Sequence, residues 1–451
     1  MDTIAAISTP LGNGGIGIVR ISGNNSLRII KQIFRTKYND FKPNSIVYGK
    51  IYDGEVFLDE ALVSYFKAPN SYTGEDIVEI NSHGGTLVVQ NILNLVIKNG
   101  AKLAEPGEFT KRAFLNGKKD LSQAEAVIDI INSKTNLENR VSADQLNGHL
   151  GKEIGEIKKG LIDLLVDIEA NVDYPEYDIE ETSQNKARQV VNNALDKLKN
   201  LSNSFMEGKL IKNGINVAII GRPNVGKSSL LNKILKEERA IVTDIAGTTR
   251  DTIEESIIYN GLLINLIDTA GIHRTDDTIE EIGIEKSIKA IDKADISLMV
   301  IDNSEKLTDD DYELLSLLED KKKIVVLNKS DLNDKIKEEL LNFANKDDIV
   351  IISAKNNNGI ENVLNELINR FKANELSLHD EIIISNQRHK EAIDNTISSL
   401  ENVIKSLDNN IPMDMISIDI QNAISYIGLI TGENVSEDVI NGIFAKFCLG
   451  K

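Results

Sequence analysis

NVAIIGRPNVGKSSL, residues 216–230, joins an apolar β-branched run, Val217 to Ile220, to a glycine-bounded loop and the start of a helix. Gly221, Gly226, Lys227 and Ser228 occupy the four defining places of G-x-x-x-x-G-K-[ST]. In that pattern the glycines let backbone N–H groups approach phosphate oxygens, the lysine reaches the outer phosphates, and the hydroxyl binds magnesium. The helix that begins there adds its positive end. The stretch therefore predicts a phosphate cradle over 221–228, with Asn224, Val225 and Ser229 in the same loop and first helical turn.

Three further motifs follow it in order. Asp268-Thr269-Ala270-Gly271 comes after the apolar run Leu262 to Ile267, where an aspartate at a strand end reaches magnesium through water and a glycine amide senses a γ-phosphate. Asn328-Lys329-Ser330-Asp331 comes after IVVL; its aspartate suits a base with an exocyclic amine and a ring N–H, which describes guanine and not adenine. Ser353-Ala354-Lys355 completes the base pocket. Together they predict GTP as the nucleotide. From 214 to about 372 strands and helices alternate, as a mostly parallel, doubly wound sheet requires.

The switch region departs from the Ras-like pattern. There a glutamine follows D-x-x-G and orients the attacking water; here the place holds Ile272, which cannot. Asn224 and the loop Thr243-Asp244-Ile245-Ala246-Gly247-Thr248-Thr249-Arg250 offer an all-oxygen site suited to a hard monovalent cation. Such a cation would bring the charge of an arginine finger, worth roughly 10³ to 10⁵ in rate, or about 4 to 7 kcal/mol. Thr249 would complete the magnesium shell with Ser228. Arg250 could act as a finger in cis, although beside Asp251 it reads as a surface ion pair. Either Glu280 or Glu281 could hold the attacking water, or both could belong to a solvated acidic helix.

A chain of 451 residues suits roughly three domains. Its net charge of −19 argues against a generally basic nucleic-acid coat and confines any RNA contact to a local basic patch or a second protein. One cysteine, Cys448, excludes an internal disulfide and suits a reducing compartment. MDTIAAISTPLGNGG lacks the pattern of a secretory signal, and no apolar run approaches the roughly 20 residues that span a bilayer. The expectation is a cytoplasmic protein without membrane contact.

Residues 1–118 read as α+β, with strands over Ile16 to Ile21, Ile46 to Ile51, Val56 to Phe66 and Ile77 to Ile80 and a helix from Thr86 to Lys98. Gly12, Gly14 and Gly17 spell G-x-G-x-x-G but lead into a strand-like run instead of opening a helix, so a glycine-rich turn is preferred to a dinucleotide site. His83 has no companion metal ligands nearby. From Asp120, which with Gln123 resembles a capping box, the period becomes helical. Leu150, Ile154, Ile157, Leu161, Leu164 and Ile168 mark a long amphipathic helix, and a later one carries Val191 to Phe205 before Gly208 and Gly214 announce the next strand. Helical spacing returns after 375, through Ala392 to Ile404 and Ile416 to Ile427. The expected partition is 1–118 α+β, 119–210 helical, 214–372 nucleotide-binding and 375–451 helical. The two helical blocks would form one discontinuous domain into which the nucleotide domain is inserted.

GRPNVGKSSL, TDIAGTTRD, DTAGI and NKSD in order, with GGIGIVRISG, EPGEFTKRAFLNGKKDLSQAEA and the ending TGENVSEDVINGIFAKFCLGK, resemble the MnmE (TrmE) family of tRNA-modification GTPases along the whole chain. Ribosome-assembly GTPases of the Era-like class, which bind rRNA, share the central motifs and not this tail. The resemblance implies an N-terminal folate-binding and dimerising domain, a discontinuous helical domain and a potassium-stimulated GTPase. It places potassium on Asn224, Thr243, Ile245 and Thr248, and the catalytic carboxylate on Glu280, with Asn224 and Lys227 assisting. Arg20, Glu79, Lys118 and Lys451 match contacts to a folate, 5-formyltetrahydrofolate or 5,10-methylenetetrahydrofolate. Cys448 matches the cysteine of a terminal C-[IL]-G-K. The implied reaction adds an aminomethyl or carboxymethylaminomethyl group to C5 of the tRNA wobble uridine. The implied partner is MnmG, carrying FAD and NADH, in a heterotetramer with a homodimer of this chain.

Overall fold

The computed structural model describes residues 2–38, 41–173, 180–237, 255–267, 288–332, 340, 343, 345–371 and 382–451. The chain forms two compact units, one of residues 1–132, 142–199 and 391–451, the other of 133–141 and 200–390.

The first unit begins with β1 (Ile4–Ile7), β2 (Gly14–Ser22), α1 (Ser26–Ile33), β3 (Phe34–Arg35), β4 (Ser45–Asp53), β5 (Val56–Phe66), β6 (Ile77–Gly84), α2 (Thr86–Lys98) and β7 (Lys102–Leu103). The strands make one sheet in the order β3-β4-β5-β6-β2-β1-β7, antiparallel except for the β1–β7 pair. Alternating residues such as Val19, Ile21, Val78 and Ile80 turn inward and meet Ile29, Ile30, Ile92 and Val96 of the two helices. The glycine run at 12–17 enters a strand, as the rejection of a dinucleotide motif requires.

Helices α3 (Glu108–Leu115), α4 (Leu121–Asn132), α5 (Asn136–Leu146), α6 (His149–Asp173) and α7 (Glu180–Asn203) follow. The capping box is present: Gln123 N–H donates to Asp120 Oδ1 at 2.8 Å, and Asp120 N–H to Gln123 Oε1 at 3.0 Å.

The second unit contains α8 (Phe205–Asn213), β8 (Ile215–Ile220), α9 (Lys227–Glu237), β9 (Glu255–Tyr259), β10 (Leu262–Ile267), β11 (Ile296–Asp302), α10 (Asp309–Leu317), β12 (Lys323–Asn328), β13 (Ile349–Ile351) and α11 (Ile360–Arg370). Gly208 does not announce a strand, because α8 runs through it. A Cβ there would lie 2.2 Å from Ile384 O, so the glycine lets a second backbone pass close to the helix. The sheet order is β13-β12-β11-β8-β10-β9, parallel apart from β9. Apolar clusters form from both faces of these strands, one with Leu230, Ile234, Val363 and Leu367 and one with Leu314, Leu315 and Leu318. That is the doubly wound arrangement, in which ligands bind outside the carboxyl ends of the strands.

The chain closes with α12 (Gln387–Asp408), α13 (Met413–Thr431) and α14 (Glu437–Phe444). In the first unit α6 packs against α13. The six apolar residues read as one stripe of α6 are all buried, as are Ile416, Ile420, Ala423 and Ile427 of α13. Phe444 and Phe447 pack with Leu121 and Ala124, with Phe114 alongside. No helix among the described residues is long and apolar enough to cross a membrane.

Candidate functional site

The phosphate loop leaves the C-terminal end of β8 and enters α9. Asn224 is exposed and left-handed, with φ of 63°. Lys227 Nζ turns back into the loop and donates to Gly221 O at 2.6 Å and Arg222 O at 2.7 Å. Burial pulls its ammonium down to about 8. Val225 is buried beneath the loop, while Ser228 and Ser229 are exposed on the first turn of α9.

Asn328, at the end of β12 and 3% exposed, joins three of the motifs. Its Nδ2 donates to Val225 O of the phosphate loop at 2.8 Å, and its Oδ1 accepts from Ala354 N of the Ser-Ala-Lys turn at 3.0 Å. Gly226 makes room for this contact, since a Cβ there would lie 2.1 Å from Asn328 Nδ2. Ser353 Oγ donates to Asp331 Oδ1 at 2.7 Å. That bond holds the Asp331 carboxylate below its usual range, with smaller help from Lys355 and Lys329. Asp331 and Lys355 are exposed. Asn328, Lys329, Asp331, Ser353 and Ala354 thus form one bonded group with the phosphate loop.

Two residues not singled out in the sequence complete this group. Asp302, buried at the end of β11, accepts from Lys329 Nζ at 2.5 Å. Arg222 of the phosphate loop pairs with Glu305 at 2.5 Å and with buried Asp311 at 3.2 Å. The available signal was positional: in the sequence Asp302 follows an apolar run as Asp268 does, yet belongs to no motif.

Thr243, Asp244, Ile245, Ala246, Gly247, Thr248 and Thr249 lie outside the described residues, as do Asp268, Thr269, Ala270, Gly271 and Glu280. So do the alternatives Arg250 and Glu281 and the substituted place Ile272.

A second cluster lies in the first unit. Arg20 of β2 donates from Nε to Glu79 Oε1 of β6 at 2.8 Å, across a pair that register places opposite one another. Its Nη1 donates to Gly450 O at 3.4 Å, and its guanidinium lies 5.7 Å from the Tyr72 ring and 5.6 Å from the Phe109 ring. The tail is fastened there: Ser8 Oγ donates to Gly450 O at 3.2 Å and Phe109 N–H to the Lys451 backbone oxygen at 3.2 Å. Lys118 is exposed, its stem 3.3 Å from where a Gly74 Cβ would stand. Lys119 Nζ is 5.7 Å from the Tyr72 ring centroid, and burial pulls its ammonium down. The structure therefore brings Arg20, Glu79 and the Gly450–Lys451 backbone together, and adds Tyr72, Phe109 and Lys119. Cys448 is exposed, unlike the buried small hydrophobe that a lone cysteine usually is. His83 Nδ1 is bound to Asp59 Oδ1 at 2.7 Å.

Two family models match the chain: the MnmE helical domain over residues 121–448 and the GTP-binding protein TrmE N-terminus over residues 3–118. A curated tRNA modification GTPase MnmE of Acetivibrio thermocellus is 50% identical over 456 residues, covering 100% of this chain and 99% of that protein. One of Clostridioides difficile is 44% identical over 455 residues, with the same coverages of 100% and 99%. Among solved structures, Era in complex with MgGDPNP and nucleotides of 16S ribosomal RNA is 28% identical, covers 41% of this chain and 66% of that one, and has a TM-score of 0.27.

Proposed function

The chain belongs to the MnmE family of tRNA modification GTPases, and on that premise we propose that it hydrolyses GTP and couples the cycle to modification of the tRNA wobble uridine at C5. The observation that carries the nucleotide half is the double bond set of Asn328, which holds the phosphate loop and the Ser-Ala-Lys turn in one piece. Phosphate and base ends of one nucleotide would be bound by a single rigid edge of the sheet.

In this reading Lys227 exchanges its two loop carbonyls for the outer phosphates, and Ser228 with Thr249 holds magnesium. Asp331 accepts from the guanine amine and ring N–H, between Asn328 and the turn of Ser353, Ala354 and Lys355. Asn224, Thr243, Ile245 and Thr248 would hold potassium, which would supply the positive charge that an arginine finger brings. Glu280 holds the attacking water. The exposure and left-handed backbone of Asn224 support its part, since they leave the amide free to turn toward a cation beside the phosphates.

The folate cofactor would lie at Arg20, Glu79, Lys118 and Lys451. Support comes from the ion pair of Arg20 and Glu79 beside the tail backbone: a carboxylate suits the pterin N–H groups, and the cations suit a glutamate tail. The folate supplies the one-carbon unit when bound. This reading keeps the domain partition at 118, 210, 214, 372 and 375, a homodimer, MnmG as the FAD- and NADH-bearing partner, and a cytoplasmic location. The exposure of Cys448 leaves its thiol accessible for a part in the modification.

The test is GTP turnover in potassium against sodium at equal ionic strength. Stimulation by potassium is expected, and equal rates in the two salts would remove the cation mechanism.

A further inference from the structure

Asp302 ends a strand otherwise built of apolar residues and Ser297, and it is 3% exposed. Both of its oxygens are committed. Oδ2 accepts from Lys329 Nζ at 2.5 Å; Oδ1 accepts from the Ser304 N–H at 2.9 Å and from the Ser304 hydroxyl at 2.7 Å. Burial alone would raise this carboxylate, but Lys329 and Ser304 outweigh it and hold it below its usual range. A buried charge is costly unless paired, and an apolar residue would serve the core as well. The carboxylate is therefore explained by its partner.

That partner is the second residue of the base motif, and it has an uncommon backbone. Lys329 has φ of 64°, a left-handed conformation that a side chain with a Cβ rarely adopts. From it starts the turn that carries Asp331, closed by Leu332 N–H donating to Lys329 O at 3.0 Å. The end of β11 grips the motif twice, because Asn303 N–H also donates to Asn328 O at 2.9 Å.

We propose that Asp302 is a positioning residue for guanine specificity: by anchoring the Lys329 side chain it keeps that residue left-handed and so keeps the Asp331 carboxylate in register with the base. The inference rests on the reading of the chain as a guanine-nucleotide GTPase and deepens it. Hypoxanthine lacks the exocyclic amine that Asp331 would accept from. The ratio of GDP to IDP affinity therefore reports the register of Asp331 and not merely the integrity of the fold.

The full-length chain, Asp302→Asn and Ser304→Ala are titrated with GDP, IDP and ADP, and thermal unfolding of each is recorded without nucleotide. The GDP-over-IDP preference is expected to fall about tenfold in Asp302→Asn and about twofold in Ser304→Ala, with KM for GTP rising more than kcat falls. An unchanged preference in the variants, with any loss confined to the unfolding temperature, overturns the assignment. Should Asp302→Asn fail to fold, Ser304→Ala decides by the same ratio. A wild-type chain that binds GDP no better than ADP overturns the guanine reading beneath it, which is a different result from an unchanged GDP-over-IDP preference.

Discussion

Lys227 is held by two carbonyls of its own loop, neither of which carries a formal charge, and its ammonium is drawn from the ordinary 10.5 to about 8. The charged form is thus disfavoured in the nucleotide-free fold. This cost is fully present below pH 8 and fades as the pH rises toward 10.5, where the unfolded chain also loses its proton. A phosphate beside the ammonium would restore its affinity for the proton. GDP binding at pH 8.5 should accordingly take up about half a proton or more, and at pH 7 only about a tenth of one through this group. Calorimetry in buffers of different ionisation enthalpy measures the uptake, and identical apparent enthalpies at pH 8.5 would refute it. At Asn224 the expectation concerns the cation: Asn224→Ala should abolish potassium stimulation with little loss of GTP binding, and a variant still stimulated would exclude it as a ligand. The places of Lys227 and Asn224 in the loop were legible, the first because the motif names it and the second because it lies between the two glycines. Asp302 and Arg222 were not, since an aspartate outside any motif and an arginine at an unspecified place of the phosphate-loop pattern read as surface charges until the folded chain places their partners.

Among the elements, the β12 end is the joint on which the nucleotide site depends. Asn328→Ala would leave Val225 O and Ala354 N–H without the partners they have in a buried place. The cost should be about 2 to 4 kcal/mol, read by urea unfolding, together with weakened GDP binding. Full stability in this variant would show that the two loops are held by other means. In the first unit, α6 and α13 each bury one apolar stripe, and each supplies much of the other's cover. Residues 119–210 expressed alone should therefore not fold stably, and a cooperative unfolding transition in that fragment would contradict the discontinuous domain. These long helices were legible because their stripes repeat over many turns. Short elements such as α1, α3 and α14 escaped notice. Each is 8 residues long, too few turns for a period to emerge, and tertiary packing fixes them, α1 in the core of the N-terminal sheet and α3 with α14 through Phe114 and Phe444.

At the scale of the whole chain, an overall charge of −19 coexists with a local gathering of cations around Tyr72, where Arg20 and Lys119 both face the ring. Composition argues against a basic coat but says nothing about such a patch, beside which Ser8, just after β1, and Arg20 of β2 both hold the tail at Gly450. One unit carries the nucleotide site, and in the other the tail meets the N-terminal sheet. The proposed cycle of GTP hydrolysis serves tRNA modification. The direct measurement is mass spectrometry of wobble uridines in tRNA from a host lacking its own family member, supplied with this chain or with its Lys227→Ala form. Restored C5 modification with the wild-type chain and none with Lys227→Ala is the predicted result; unmodified tRNA with the wild-type chain, or full modification with Lys227→Ala, would contradict it.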